Sequence, residues 1–354
     1  MNVKRLCILT GIIALSAAAA WSNPASARAL TPAAEHSRTF AASMLDDPKL
    51  NGTRLGGPIY EEHDPQVKLQ ETVAGWIRTI AEQHKLIPWQ SADFHIEPLG
   101  PGTHGWIVHV LEQQSPVGYL IVTALEGGGY RLAEYGVGEQ PIFHLERLRE
   151  SLVQQKLIEP ATTVEELAAW LSFPGQPQVP QDENVLTEAQ GQKKLKIERH
   201  YLYPFAAYWK VHSEDWRQPV YFDAITGEQY PLTKDPSSKP QIKAEIDYQP
   251  TKLSKLKDLM QLPKFDPYED LGWIVEPPLR VRSIDDVIEP LRGKQRLTLT
   301  VELYDELVLL PYPIIGYAQW EQTETYLLIY SEGLRYVPLI DAVGYGHIYL
   351  EQNE

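Results

Sequence analysis

The sequence predicts an α+β protein built from several small modules, each combining a helix with an antiparallel sheet. Three observations lead to this fold class. An amphipathic helix of about 20 residues precedes a run of short strands. Turn residues, above all Gly and Pro, separate these strands, and further helices and strand clusters follow in groups. Because consecutive strands joined by short turns pair with each other, we expect antiparallel meanders.

The first 27 residues have the pattern of a secretory signal peptide. Lys4 and Arg5 precede an uncharged run over residues 6–21, and residues 25–27 are the small residues that a signal peptidase recognises. The run is about 16 residues long, short of the roughly 20 that span a bilayer. We therefore expect a secreted mature chain without a membrane span. An uncleaved N-terminal membrane anchor is the alternative.

The only cysteine, Cys7, lies inside this segment. The mature chain then has no cysteine nucleophile and no thiolate metal site. Exported proteins usually meet an oxidising compartment in which cysteines form bridges. We interpret their absence as typical of secretion by a Gram-positive bacterium.

The chain is acidic, with 32 Lys and Arg against 47 Asp and Glu and a net charge of −15. Removing Lys4 and Arg5 with the signal leaves 30 against 47, a net charge of −17. This balance argues against nucleic acid and against an anionic membrane surface as partners. Nine Trp and nineteen Tyr suit a recognition surface, and they are equally typical of strand-rich secreted domains.

The segments follow in order along the chain. We expect a signal peptide at 1–27, a loosely ordered leader at 28–65, a helix-plus-sheet module at 66–150, a helical segment and linker at 151–196, a strand module at 197–232, a linker at 233–252 and a C-terminal α+β domain at 253–354. Roughly 325 mature residues exceed one comfortable core, which agrees with two or three domains.

In the first module, apolar residues at helical spacing run from Val67 to Ile87, and Pro88 ends the helix. We expect strands at 94–97, 105–112, 118–124 and 130–135. A helix at 145–158 follows. Thr163 then begins a second helix as the N-cap of a capping box with Glu166.

The rest of the chain continues this alternation. We expect strands at 201–203, 206–212 and 219–224, then a helix near 253–262 and a helix at 284–291 that Ser283 caps and Gly293 ends. The C-terminal strands are expected at 297–303, 306–310, 315–319, 325–330, 334–339 and 347–350.

Two stretches share a pattern. "YLIVTALEGGGYRLAEYGVG" at 119–138 aligns with "YLLIYSEGLRYVPLIDAVG" at 326–344. Each gives a strand, a turn containing Glu-Gly, a second Tyr-bearing strand and a Val-Gly pair. Reuse of one topology and chance similarity of two hairpins are both open interpretations.

Sequence motifs of catalysis are largely missing. The chain contains no G-x-S-x-G elbow, no P-loop and no H-E-x-x-H pair. His95, His104 and His109 are the closest group of histidines, and their spacing does not match a metal site. We assign no catalytic, cofactor-binding or metal-ligating residue and expect a protein that is not an enzyme. A carboxylate pair drawn from distant strands stays open.

"AAYWKVHSEDWRQPVYFDAITGEQY" at 206–230 resembles a PepSY-type repeat, with a Trp-x-Val strand, a variable turn, a strand that ends in Asp-Ala and a Thr-Gly-Glu turn. The match covers about 25 of the 354 residues. The residues that carry this motif are Trp209, Val211, Tyr221, Asp223, Thr226, Gly227 and Glu228. From the residues themselves, we expect Asp223 to accept hydrogen bonds from the backbone of the turn and Gly227 to take a positive φ.

The segment 66–143 is similar in layout to the prodomains of secreted peptidases and carries "GYLIVTA". Together the two resemblances imply a cystatin-like or PepSY-like layout and a module that binds peptidases. We therefore expect a secreted, non-enzymatic protein that binds a protein or peptide, with a secreted peptidase that it would restrain as one candidate partner. The alternatives are an unrecognised extracellular hydrolase acting on envelope polymer or peptide, and a structural component of a cell-surface or spore layer.

Overall fold

A computed structural model describes residues 65–100, 104–172, 195–236, 247–269, 271–322 and 324–351. The expected signal peptide, the leader up to residue 64 and the linker sequence at 176–194 lie outside the described residues. All of the described residues belong to one compact unit.

These residues confirm the α+β class. The helices are α1 (Pro65–His84), α2 (Ile87–Gln90), α3 (Leu145–Gln154), α4 (Val164–Ala169), α5 (Gly272–Val275), α6 (Asp285–Arg292) and α7 (Leu339–Tyr345). The strands are β1 (Asp93–Pro98), β2 (Gly105–Glu112), β3 (Ser115–Ala124), β4 (Tyr130–Val137), β5 (Lys196–Tyr203), β6 (Ala206–His212), β7 (Val220–Asp223), β8 (Gln229–Tyr230), β9 (Leu256–Gln261), β10 (Leu297–Leu303), β11 (Val308–Trp320), β12 (Thr325–Tyr330), β13 (Leu334–Pro338) and β14 (Gly346–Leu350).

Strands from both ends of the described chain form one sheet of ten. Its order is β1-β2-β3-β4-β13-β12-β11-β10-β14, and β9 also pairs with β11. The antiparallel ladder between β4 and β13 joins the two halves, with Tyr135 opposite Tyr336. A second sheet has the order β5-β6-β7-β8. The segments 66–150 and 253–354 therefore share a sheet, whereas 197–232 supplies a sheet of its own.

Alternating side chains of the main sheet enter two different cores. Val108 and Leu120 pack with α1 in one core, whereas their neighbours Ile107 and Tyr119 pack in another. Because neighbouring residues of a strand point to opposite faces, α1 covers one face. Within the described ranges, no helix has both the length and the apolar character needed to cross a membrane.

The opposite face is covered by α3, α4, α6 and the second sheet. Leu148 of α3 and Trp209 of β6 are buried with Ile107 against the N-terminal strands. Val287 of α6 packs with Leu299 against the C-terminal strands. Each fully buried aliphatic side chain stabilises the fold by about 1.5–3 kcal/mol relative to its exposed state. The second sheet is thus held against the main sheet on one face, and Tyr208, Tyr221 and Tyr230 form a small cluster on its other face.

The predicted capping box is confirmed at the start of α4. The Thr163 hydroxyl accepts a hydrogen bond from the Glu166 N–H at 3.2 Å, and the Glu166 carboxylate accepts one from the Thr163 N–H at 2.8 Å. Two otherwise unpaired N–H groups of the first turn are satisfied in this way.

The helix expected near 253–262 is wrong, since this segment contains β9. Its side chains alternate between partly buried and exposed, which is a strand period, and pairing with β11 outweighs local helix propensity. The strands expected at 306–310 and 315–319 are one strand, β11, with an irregularity between Ile314 and Gly316. Gly316 has φ +153°, and a Cβ there would lie 2.0 Å from the Met260 carbonyl oxygen, so the approach of β9 requires glycine.

Candidate functional site

The two hairpins that share a sequence pattern lie side by side, β3–β4 next to β12–β13. We call the β4–β13 ladder between them the seam. On the face covered by α1, Tyr135 and Tyr336 stack across the seam with ring centroids 4.6 Å apart. Nε2 of His84, near the end of α1, lies 3.1 Å from the Tyr135 hydroxyl.

The other face of the seam carries two buried ion pairs. Arg335 of β13 donates from Nη2 to Oε2 of Glu134 in β4 at 2.6 Å. Arg131 of β4 donates to the carboxylate of Asp341 in α7. Each hairpin therefore supplies an arginine that pairs with a carboxylate of the other half. Removing one partner of such a pair would leave an uncompensated buried charge.

A hydroxyl extends the Glu134–Arg335 pair. Tyr119 of β3 donates from its hydroxyl to Oε1 of Glu134 at 2.9 Å. Burial opposes the charge on Arg335, but the carboxylate of Glu134 outweighs burial and holds the pKa of Arg335 well above its usual value. Burial raises the pKa of Glu134, and the charge of Arg335 opposes this effect. Tyr119, Glu134 and Arg335 thus form a hydrogen-bonded network, to which we refer as the buried network, while Nε and Nη1 of Arg335 have no hydrogen-bond partner among the described residues.

A small cleft of about 90 Å³ lies beside this network. Its buried members are Tyr119, Ile142 and Arg335, and its exposed members include Glu139 and Glu332. The full lining consists of Tyr119, Val137, Gly138, Glu139, Gln140, Ile142, Ile225, Ser331, Glu332, Gly333, Leu334 and Arg335. The cleft therefore has an apolar wall, a base formed by the buried network and a polar rim.

The Thr-Gly-Glu turn places Ile225 in this lining. Oδ1 of Asp223 accepts hydrogen bonds from the N–H groups of Ile225 at 2.8 Å and Thr226 at 2.6 Å. Gly227 has φ +74°. These are the backbone roles expected for Asp223 and Gly227, and they fix the position of the turn.

The other motif residues lie in the second sheet or at the end of its turn. Trp209 and Val211 are buried on the face toward the main sheet. Tyr221 faces the other way and donates from its hydroxyl to Oδ1 of Asp235 at 2.7 Å. The hydroxyl of Thr226 accepts a hydrogen bond from the N–H of Glu228 at 3.2 Å. The motif therefore builds a scaffold and contributes no group that faces the base of the cleft.

Carboxylates dominate the charge around the cleft. Glu139 and Glu332 belong to its lining. Partial burial raises the pKa of Glu228, and the nearby charges of Asp223 and Glu332 raise it further. At the exposed side of the cleft, Nη1 of Arg147 in α3 lies 2.9 Å from Oε2 of Glu332.

A second polar cluster lies between β1, β2 and β5. Arg199 donates to Glu97, whose carboxylate lies 3.5 Å from Nε2 of His95 and 4.0 Å from that of His109. Burial lowers the pKa of His109 to about 4. His104 is exposed just before β2. In the part of the chain that the structure describes, no three His, Cys, Asp or Glu side chains are arranged to hold a metal ion.

Sequence reasoning missed the buried network. Glu134 and Arg335 lie within strands whose neighbours are apolar, and a charged residue at a core-facing position calls for a partner. That signal shows a need for pairing but does not identify the partner. Glu134 and Arg335 are 201 positions apart in the chain, and only the β4–β13 ladder brings them together.

Comparison of the chain with protein-family models, with curated proteins and with solved structures finds no match. The PepSY-type resemblance stays a prediction that rests on residues 206–230.

Proposed function

We propose that this protein is a secreted, non-enzymatic binding protein whose cleft receives one side chain from an extended segment of a partner protein. The observation that carries the proposal is the combination of a small apolar-walled cleft with a base whose charges are already paired. Within this class, the resemblance to peptidase prodomains favours a secreted peptidase as the partner.

The dimensions support a single anchor residue. A volume of about 90 Å³ corresponds to roughly three waters at about 30 Å³ each, which is enough for a small aliphatic side chain. Burying about 100 Å² of apolar surface contributes about 2.5 kcal/mol at about 25 cal/mol per Å². Because association itself costs several kcal/mol, stable binding requires further contacts with the surface around the cleft.

The chemistry of the base favours binding over catalysis. A general acid or base must lie within hydrogen-bond distance of the substrate atom with which it exchanges a proton. Glu134 is fully buried and holds hydrogen bonds from both Tyr119 and Arg335. The role best supported for this carboxylate is to fix β3, β4 and β13 around the cleft.

A variant that adds bulk at the edge of the cleft tests the proposal. Gly333 lines the cleft, and a Cβ at this position meets no atom within 4 Å, so Gly333→Leu adds four carbons at this edge without a backbone clash. Gly127, in the β3–β4 turn, is equally open. Gly127→Leu is therefore a matched control at the opposite end of the two hairpins.

The experiment pans a displayed library of linear peptides on the purified protein, with secreted peptidases of the source organism tested in parallel for binding and inhibition. We expect the selected binders to lose at least tenfold in affinity for Gly333→Leu and to retain it for Gly127→Leu. Binders that tolerate Gly333→Leu would overturn the assignment to the cleft. If no peptide or peptidase binds the unmodified protein, the binding function itself is wrong.

A further inference from the structure

We infer that the partner segment carries Lys or Arg on either side of an aliphatic anchor residue. The inference rests on the proposed function, because it specifies which segment the cleft receives. It follows from the distribution of charge between the base of the cleft and its rim.

The rim is negative. Glu139 and Glu332 line the cleft, and Glu228 is close enough to Glu332 for that charge to raise its pKa. Arg147 is the cation paired with Glu332. The two carboxylates of the lining outnumber this one guanidinium, and Glu228 adds a third carboxylate nearby, so the rim is negative. Flanking cations on a bound segment would therefore meet complementary charge.

The base of the cleft has the opposite preference. Arg335 belongs to the lining and is 2% exposed. A Lys side chain that entered end first would lose the hydration of its ammonium group there and find no free carboxylate, because Glu134 is already paired with Arg335. The anchor is thus uncharged and the cations stay at the rim. An acidic anchor would have to pass Glu139 and Glu332.

The lining supplies its own reporters. Ile142 and Ile225 both line the cleft, so their ¹³C-labelled methyl groups report directly on its occupation. Ile80 lies on the buried side of α1, against the other face of the main sheet, and serves as an internal reference. Methyl spectra of the full protein can follow weak binding, as expected for a short peptide with one anchor.

The probe is the peptide acetyl-Gly-Lys-Val-Lys-Gly-amide. Its matched control replaces both Lys by norleucine, which keeps most of the aliphatic stem and removes the charge. A second control replaces Val by Gly and removes the anchor. We expect the Lys peptide to shift the Ile142 and Ile225 signals with about fivefold tighter binding than the norleucine peptide, because exposed ion pairs contribute modestly.

Added salt and one charge-neutralising variant isolate the contribution of the rim charges to peptide affinity. The preference for Lys should disappear at about 0.5 M salt, where screening is strong. It should shrink in Glu139→Gln and persist in Glu126→Gln, which changes an exposed glutamate of the β3–β4 turn. Equal or tighter binding of the norleucine peptide would overturn the inference while leaving peptide binding intact. If no peptide shifts Ile142 and Ile225 beyond Ile80, binding at the cleft fails, and the inference fails with it.

Discussion

The hairpins β3–β4 and β12–β13 share a sequence pattern and an arginine at the second position of their second strand, yet their turns differ. Arg131 and Arg335 are both buried and paired across the seam. The β3–β4 turn uses Gly128 and Gly129, both with positive φ. The β12–β13 turn instead has Glu332 at φ +56° and lines the cleft.

This difference shows where the candidate site comes from. A hairpin of this type does not create a cleft by itself, since the residues of the β3–β4 turn line none of it. The cleft forms because the second sheet packs beside the β12–β13 turn and brings Ile225 next to Leu334 and Val137. The hairpins supply a rigid frame through their ion pairs, and the Thr-Gly-Glu turn completes it.

The largest effect on stability should come from removing one partner of a buried ion pair that holds the hairpins. Arg335→Ala leaves Glu134 buried without its cation, and we expect a loss of about 3–5 kcal/mol in the free energy of unfolding, measured by urea denaturation. Arg131→Ala, which strips Asp341 of its cation, should lose a comparable amount. An unchanged free energy of unfolding for Arg131→Ala would show that the two hairpins are not held in equivalent ways.

A second substitution checks the cause. Combining Arg335→Met with Glu134→Gln removes both charges and keeps most of the volume. This double variant should recover a large part of the loss, because a buried pair replaced as a whole is often nearly neutral. If the double variant is as unstable as Arg335→Ala, packing rather than charge accounts for the effect.

The aromatic face of the seam should respond to pH. Burial lowers the pKa of His84 to about 4, below the value of about 6.5 for an unfolded chain. Between these values the unfolded chain binds more protons, so stability falls as the pH falls through this window. From about pH 7 to about pH 5, His84 alone should cost about 2 kcal/mol.

The measurement compares unfolding at the two pH values. His84→Gln should lose about 2 kcal/mol less than the unmodified protein over this range. His109, whose pKa burial also lowers to about 4, keeps its own contribution in both proteins. Parallel curves for His84→Gln and the unmodified protein would contradict a neutral His84 in the fold.

Local patterns were predicted well from the sequence, and long-range pairing was not. The capping box of Thr163 and the bonds of Asp223 follow from spacing within a few residues. The error over 253–262 arose because β9 is a strand only through its pairing with β11. Glu134 and Arg335 were missed for a related reason, since their partnership depends on the order of strands in the sheet.

The turns beside the cleft provide a matched pair of substitutions. Gly227 has φ +74°, and a Cβ there would lie 2.7 Å from Oγ of Ser151. Gly227→Val should therefore cost about 1–2 kcal/mol from the left-handed backbone. Gly333→Val should stay within about 0.5 kcal/mol of zero, because this position is open and has no positive φ. An unchanged melting temperature for Gly227→Val would contradict the observed turn.

The smallest expected effect tests whether the two hairpin turns differ as their backbones indicate. Gly128 has φ +89° and open space around a Cβ, whereas Gly127 has the same space without a positive φ. Gly128→Ala should cost about 1 kcal/mol through the backbone alone, and Gly127→Ala should cost less than about 0.5 kcal/mol. Urea denaturation of both variants resolves this difference. Equal stabilities of the two variants would mean that position 128 accepts a side chain in the left-handed region, as position 332 does with Glu332. The two hairpins would then differ only in what packs beside them.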